Sequence, residues 1–98
     1  MILGEANITS LNLSSKLMYN KYPMVYTKQF KVSSSKLQTV DVSNNSQLTL
    51  LDVSDCPALT TVKARNCKYG KMVIRMRRAQ EGTVSVDKDY TAKIEYVD

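Results

Sequence analysis

Histidine and tryptophan are missing from this 98-residue chain, and glycine (three), proline and cysteine (two each) are scarce. Without histidine there is no Ser–His or Cys–His nucleophile pair, no HExxH zinc site and no imidazole general base. The few glycines exclude the GGxGxDxUx turns that hold calcium in β-rolls, so Asp41, Asp52 and Asp55 are expected to be solvated strand carboxylates. Two cysteines make no disulfide framework, and no CxxC pair is present. No run of about 18 apolar residues exists to cross a bilayer as a helix. The opening MILGEANITS has neither the basic nor the apolar region of a signal peptide. It fits either a cytoplasmic chain or, as we expect, a piece of a longer extracytoplasmic one.

Acids are missing from one long segment. Between Thr61 and Gln80 lie seven basic residues (Lys63, Arg65, Lys68, Lys71, Arg75, Arg77 and Arg78) and no Asp or Glu, in a chain of net charge +5. The remainder is therefore slightly acidic. A 43% apolar and 23% charged composition is that of one folded domain.

What is present is repetition. Residues 35–67 divide into three lines of eleven, SKLQTVDVSNN, SQLTLLDVSDC and PALTTVKARNC. Apolar residues recur in three slots: Leu37, Val40, Val42; Leu48, Leu51, Val53; Leu59, Val62, Ala64. Ile8, Leu11 and Leu13 form an earlier degenerate unit, and Phe30 and Val32 restore the pattern after an insertion at 17–29 that carries Tyr19, Tyr22 and Tyr26. Continued in steps of eleven, the second slot predicts Val73 and Val84, and the third predicts Arg75, Val86 and Val97, with Arg75 the polar exception. Alternation within each line marks a short strand. Met72, Ile74 and Met76 alternate in the same way, so 71–80 also reads as strand. Strands are expected at 83–86 and 93–97, with a turn at Asp87-Lys88-Asp89.

Equal units stacked in sequence make a solenoid. A coil of one line would stack Asp41 on Asp52 at about 4.8 Å, a like-charge contact. A coil of two lines instead sets Asp41 beside Lys63, and puts 46–56 and 68–78 on the opposite face. Two lines per coil is the expectation.

LQTVDVSNN (37–45), LTLLDVSDC (48–56) and LTTVKARNC (59–67) each match LxxLxLxxN. Together with LDVSDCPALTTV and VDVSNN they resemble the short nested leucine-rich repeats, in units of ten and eleven, of bacterial surface and secreted proteins. The resemblance implies a mainly β, right-handed leucine-rich-repeat solenoid with two strand-bearing half-turns of about 11 residues per coil and few or no helices. It implies one domain over 1–98: a degenerate N-terminal unit and cap (1–34), regular repeats (35–67), then degenerate strands and a C-terminal cap (68–98). Cys56 and Cys67 fall in the family's asparagine slot, which implies buried residues closing a turn. Lys68 and Arg65, near Cys67, would lower its thiol pKa.

No catalytic constellation is present. Ser33–Lys36 spells SxxK, but without the partner motifs of penicillin-recognising enzymes. The reading is a non-enzymatic module, without cofactor or metal, that presents a rigid surface to a protein or glycan partner. It is expected to be monomeric as a fragment and extracytoplasmic in its parent protein, or cytoplasmic if complete. The contact candidates are Asp41, Lys63 and Arg65 on one face and Tyr19, Tyr22 and Tyr26 near the end. The alternative is a polyanion site through Lys63, Arg65, Lys68, Lys71, Arg75, Arg77 and Arg78. Nucleic acid fits poorly, since Tyr69 alone is interleaved among these cations.

Overall fold

A computed structural model of the chain describes residues 2–3, 8–14, 28–45, 47–67 and 71–97. The expectations for Tyr19, Tyr22, Tyr26 and Lys68 lie outside these residues. Among the described residues nine strands follow in order: β1 (Ile2–Leu3), β2 (Ser10–Asn12), β3 (Gln29–Ser33), β4 (Thr39–Asp41), β5 (Leu50–Asp55), β6 (Thr61–Ala64), β7 (Val73–Arg77), β8 (Ser85–Lys88) and β9 (Lys93–Val97). One three-residue 3-10 turn, Arg78–Gln80, follows β7. The odd strands form one sheet in the order β1-β3-β5-β7-β9, here sheet A; the even strands form a second, β2-β4-β6-β8, sheet B. Every pairing is parallel.

Odd–even alternation follows from the line length. Each line supplies one strand and one tight turn, so the chain crosses to the other sheet and returns beside its own strand two lines later. Val40 pairs with Val62 and Asp41 with Lys63, the opposite-charge pairing expected from the sequence. Asn44 and Asn66 turn the backbone in the left-handed region, at φ of 63° and 60°. Asparagine tolerates that region better than most residues. The two stack, with Asn66 Nδ2 donating to Asn44 Oδ1 at 3.0 Å.

Inward residues from both sheets fill the space between them. Phe30, Leu51 and Ile74 align on sheet A. Leu11, Val40, Val62 and Val86 align on sheet B. Leu37, Leu48 and Leu59, just ahead of the strands, are buried with them. Ile8, Leu11 and Leu13 at one end, and Val84, Val86, Ile94 and Tyr96 at the other, are only partly covered.

Four sequence expectations change. The step of eleven slips after Cys67: Leu51 pairs with Ile74 rather than Val73, and Val62 with Val86 rather than Val84. Arg75 is thus an outward residue between buried Ile74 and Met76, on the parity opposite to Met72, Ile74 and Met76 that their alternation gives it, and does not occupy the third apolar slot. Period-two alternation overrides spacing because side chains must alternate along a strand. Asp87 and Lys88 belong to β8, and the turn falls at 89–92. Ile2–Leu3 extends sheet A beside β3, ahead of the first apparent unit. Asp52 is only 7% exposed rather than solvated; its Oδ1 accepts hydrogen bonds from Ser54 N at 3.0 Å and Ser54 Oγ at 2.7 Å.

Buried donors close the turns. Asn45 Nδ2 donates to Val42 O at 2.6 Å and to Leu13 O, in the neighbouring coil, at 3.0 Å. Cys67 Sγ donates to Val42 O at 3.2 Å and Cys56 Sγ to Val32 O at 3.5 Å. Gln80 Nε2 extends the series, donating to Val53 O at 3.0 Å and Cys56 O at 3.1 Å. Both of these carbonyls already accept a backbone hydrogen bond, from Cys56 N at 3.2 Å and Leu59 N at 3.1 Å respectively, so Gln80 is a second donor to each. The asparagine and cysteine side chains supply donors to Leu13 O, Val32 O and Val42 O at the turns. That role gives the asparagine slot its chemistry and admits cysteine there.

Candidate functional site

Parallel register turns repeat positions into rows on the outer faces. Across sheet B runs a row of hydroxyls, Ser10, Thr39, Thr61 and Ser85. Beside it runs a second row, Asn12, Asp41, Lys63 and Asp87. Neighbours within a row are about 4.8 Å apart, and the rows are separated by two residues along the strand, about 6.6 Å. Ser10, Asn12, Thr39, Asp41, Thr61 and Lys63, with Leu11 and Val40, line a shallow groove of about 480 Å³.

Local hydrogen bonds hold the second row in place. Asn12 Oδ1 accepts from Ser14 N at 3.0 Å, and Asp41 Oδ1 accepts from Ser43 N at 2.9 Å. These Asx turns fix side-chain rotamers before any ligand arrives. Lys63 stands exposed between Asp41 and Asp87. Arg65 leaves the groove to pair with Asp87, Nε to Oδ1 at 2.6 Å.

Sheet A presents a different surface. Its central row alternates in sign, Lys31, Asp52, Arg75, Glu95. Arg75 reaches Asp52 at 3.7 Å and Glu95 at 3.1 Å. Asp55 meets Arg77 at 2.9 Å and Lys31 at 3.7 Å, while Arg77 Nε also donates to Ser54 O at 2.7 Å. The Arg77 hydrogen bond, opposed by desolvation and aided by the Lys31 charge, holds the Asp55 carboxyl below the usual carboxylate range. A smaller hollow beside this pair is lined by Ser54, Asp55, Pro57, Arg77, Gln80 and neighbours.

The basic run is therefore not an acid-free surface. Arg65, Arg75 and Arg77 each meet a carboxylate from a strand outside the run: Asp87, Asp52 with Glu95, and Asp55. Lys63 faces outward on sheet B and Arg75 and Arg77 on sheet A, so folding also divides the run between two faces. Lys71 and Arg78 lie exposed beside β7.

Cys56 and Cys67 are free thiols in the interior. Burial, with smaller contributions from the Asp89 and Asp41 charges, raises the Cys67 pKa; a hydrogen bond from the Asn45 backbone offsets part of this. The lowering expected from its basic neighbours does not occur, because desolvation dominates. Among the described residues no three Asp, Glu or Cys side chains converge on a metal-sized site.

The sequence pointed to Asp41, Lys63 and Arg65, and the fold puts Asp41 and Lys63 in one groove. It did not reveal the hydroxyl row. Thr39 and Thr61 share a position two lines apart, but Ser10 and Ser85 join them only through irregular connections. No helix among the described residues is long and apolar enough to cross a membrane. Comparisons with protein-family models, curated proteins and solved structures give no match to this chain.

Proposed function

We propose that this chain is a non-enzymatic binding module, a short right-handed leucine-rich-repeat solenoid of the nested ten- and eleven-residue type. As a module of a larger extracytoplasmic bacterial protein, it engages a glycan through its outer sheet B face. The solenoid reading is supported by the alternation of parallel strands between two sheets and by buried Asn45, Cys56 and Cys67 in the turn-closing slot. The binding reading rests on one observation: two rows of hydroxyl, amide, carboxylate and ammonium groups in register line a single groove.

A glycan suits that groove better than a protein. Protein interfaces centre on aromatic and aliphatic anchors, whereas the only large apolar side chain exposed among the described residues, Tyr90, lies in the turn beside β9. Sugar hydroxyls donate and accept at spacings that rows of Thr, Asn and Asp can match. The polyanion alternative is weakened by the carboxylates that already meet Arg65, Arg75 and Arg77.

A glycan array of neutral and acidic oligosaccharides, with heparin as the polyanion probe, tests the proposal. Thr39→Val with Thr61→Val, and separately Asp41→Ala, should each weaken binding by about tenfold, the loss of one or two net hydrogen bonds. Binding should persist in about 0.5 M salt, where screening leaves only a few ångströms of electrostatic reach. Binding to heparin alone that disappears with salt would replace this reading with the polyanion one. Hydrolase or transferase activity in the chain by itself would contradict it.

A further inference from the structure

Among the described residues both sheets end in an open strand at the C-terminal end: β9 has β7 as its one neighbour and β8 has β6. In a parallel sheet the N–H and C=O of one residue point to the same side, and successive residues alternate sides. Lys93 N donates to Met72 O at 3.0 Å, so residues 93, 95 and 97 face β7. The amides and carbonyls of Ile94 and Tyr96 therefore face the open edge. Ser85 N donates to Thr60 O at 2.8 Å, which likewise turns Val86 and Lys88 outward along β8. Val84, Val86, Ile94 and Tyr96 are only half-covered at this end. Tyr90, 94% exposed, stands in the turn joining the two edge strands.

We propose that this end is a dimer interface, and that its occupant is a second copy of the chain docked by antiparallel pairing of the two β9 edges. Antiparallel hydrogen-bonded pairs must match outward-facing residues, so even numbers meet even numbers. Three short registers satisfy this. With Ile94 opposite Tyr96 of the other copy, Glu95 opposes Glu95, a like-charge contact. With Tyr96 opposite Tyr96, Glu95 of each copy opposes Val97 of the other and meets no cation there. With Ile94 opposite Ile94, Lys93 of each copy opposes Glu95 of the other.

That last register is complementary in charge. It puts both Lys–Glu pairs at non-hydrogen-bonded positions, where facing side chains come closest. The Ile94 residues exchange two backbone hydrogen bonds across the dyad. Glu95 already accepts from Arg75 at 3.1 Å, and its second oxygen is available to the partner lysine. A lysine on an edge strand ordinarily discourages pairing; beside a glutamate two residues away it becomes a register key.

The dyad runs perpendicular to the sheets, so it keeps inward faces inward. The same operation places sheet B beside its copy, with the two β8 edges facing each other. Val86, Ile94 and Tyr96 of each copy then cover those of the other, and the interface closes on itself as a twofold contact should. This inference does not depend on the proposed glycan groove, which lies on the other strands of sheet B.

Sedimentation equilibrium from micromolar to millimolar protein tests it. A monomer–dimer equilibrium is expected, and the amide of Ile94 should gain hydrogen-exchange protection as dimer forms. Lys93→Glu should weaken the dimer by about tenfold or more, because both cross-dyad pairs become repulsive. Glu95→Lys should do the same, and an equimolar mixture of the two variants should regain a dimer, since each then supplies the charge the other lacks. The mixture separates a lost interface from a misfolded variant, and circular dichroism confirms that each variant is folded. A monomer throughout, failure of the mixture to associate, or growth into open oligomers by head-to-tail pairing with β1 would each overturn the proposal.

Discussion

Replacing Asn45 tests the account of how the turns after the strands are closed. Its side chain is fully buried, and its amide nitrogen lies 2.6 Å from Val42 O, 3.0 Å from Leu13 O and 3.3 Å from Ser43 O. Two hydrogens serve the two shorter contacts. Asn45→Ala strips Leu13 O of this donor and removes the nearest donor from Val42 O, which Cys67 Sγ still reaches at 3.2 Å. A buried polar group left unpaired costs about 1–3 kcal/mol. With Val42 at the low end, the expected loss is about 2–4 kcal/mol. For a domain of this size each kcal/mol lowers Tm by about 4–8 °C.

The chain supplies its own control. Cysteine fills the same slot at positions 56 and 67 and donates one hydrogen bond to the neighbouring coil. Asn45→Cys should therefore cost less than alanine, about 1–2 kcal/mol. Asn45→Asp should cost more than alanine at neutral pH, since a carboxylate has no donor and would face carbonyl oxygens. Urea denaturation followed by circular dichroism, with the slope unchanged between variants, gives the three values. The reasoning fails if Asn45→Ala loses less than about 0.5 kcal/mol, the range of an unremarkable surface change. It fails equally if aspartate ranks with cysteine.

Two further perturbations address the charged face and the interior. Asp55 has a depressed pKa in the folded state, so its contribution to stability is present above the unfolded-state pKa and lost as pH falls through the folded value. Arg77→Gln should raise the Asp55 titration toward the ordinary range, read from its carboxyl carbon by NMR; an unmoved midpoint would assign the depression to another group. Cys67 is buried with a raised pKa, so alkylation by iodoacetamide at neutral pH should be slow in native protein and fast in urea. Rapid labelling of the native thiol would show that the interior opens locally.

Much of the architecture was legible because the charges had to be compatible across strands. Asp41 and Asp52 cannot stack comfortably, and Asp41 with Lys63 can, which was enough to expect strands two lines apart to pair, as β4 and β6 do. The register after Cys67 was not legible by spacing. Two patterns competed there, eleven-residue steps through Val73 and alternation through Met72, Ile74 and Met76. The second prevails because a strand's geometry is local and its alternation has no slack, whereas a turn can absorb an extra residue. The burial of Asp52 was hidden for a related reason. It depends on Ser54 within the strand and on Arg75 from the next coil of sheet A, a partner that the eleven-residue spacing had assigned to the third apolar slot. Gln80 left no signal either: it lies beyond the asparagine slot in sequence and reaches Val53 and Cys56 by means of the 3-10 turn.

The two outer faces use alternating charge to different ends. On sheet A the long arms of Arg75 and Arg77 close on neighbouring carboxylates, so that face offers little free charge. On sheet B, Asn12 and Asp41 are pinned by their own turns and Lys63 remains exposed beside the hydroxyl row. If copies pair through β9, the perpendicular dyad sets two such grooves on one continuous surface. A ligand spanning both then binds the second groove intramolecularly, and avidity exceeds single-site affinity by about a hundredfold or more where the spacing allows both to engage. Lys93→Glu should therefore weaken attachment to a dense glycan-coated surface far more than it weakens binding of a short soluble oligosaccharide. Surface plasmon resonance in the two formats measures the difference. Equal losses in both would place Lys93 in ligand contact, and no loss in either would separate the dimer from the binding function.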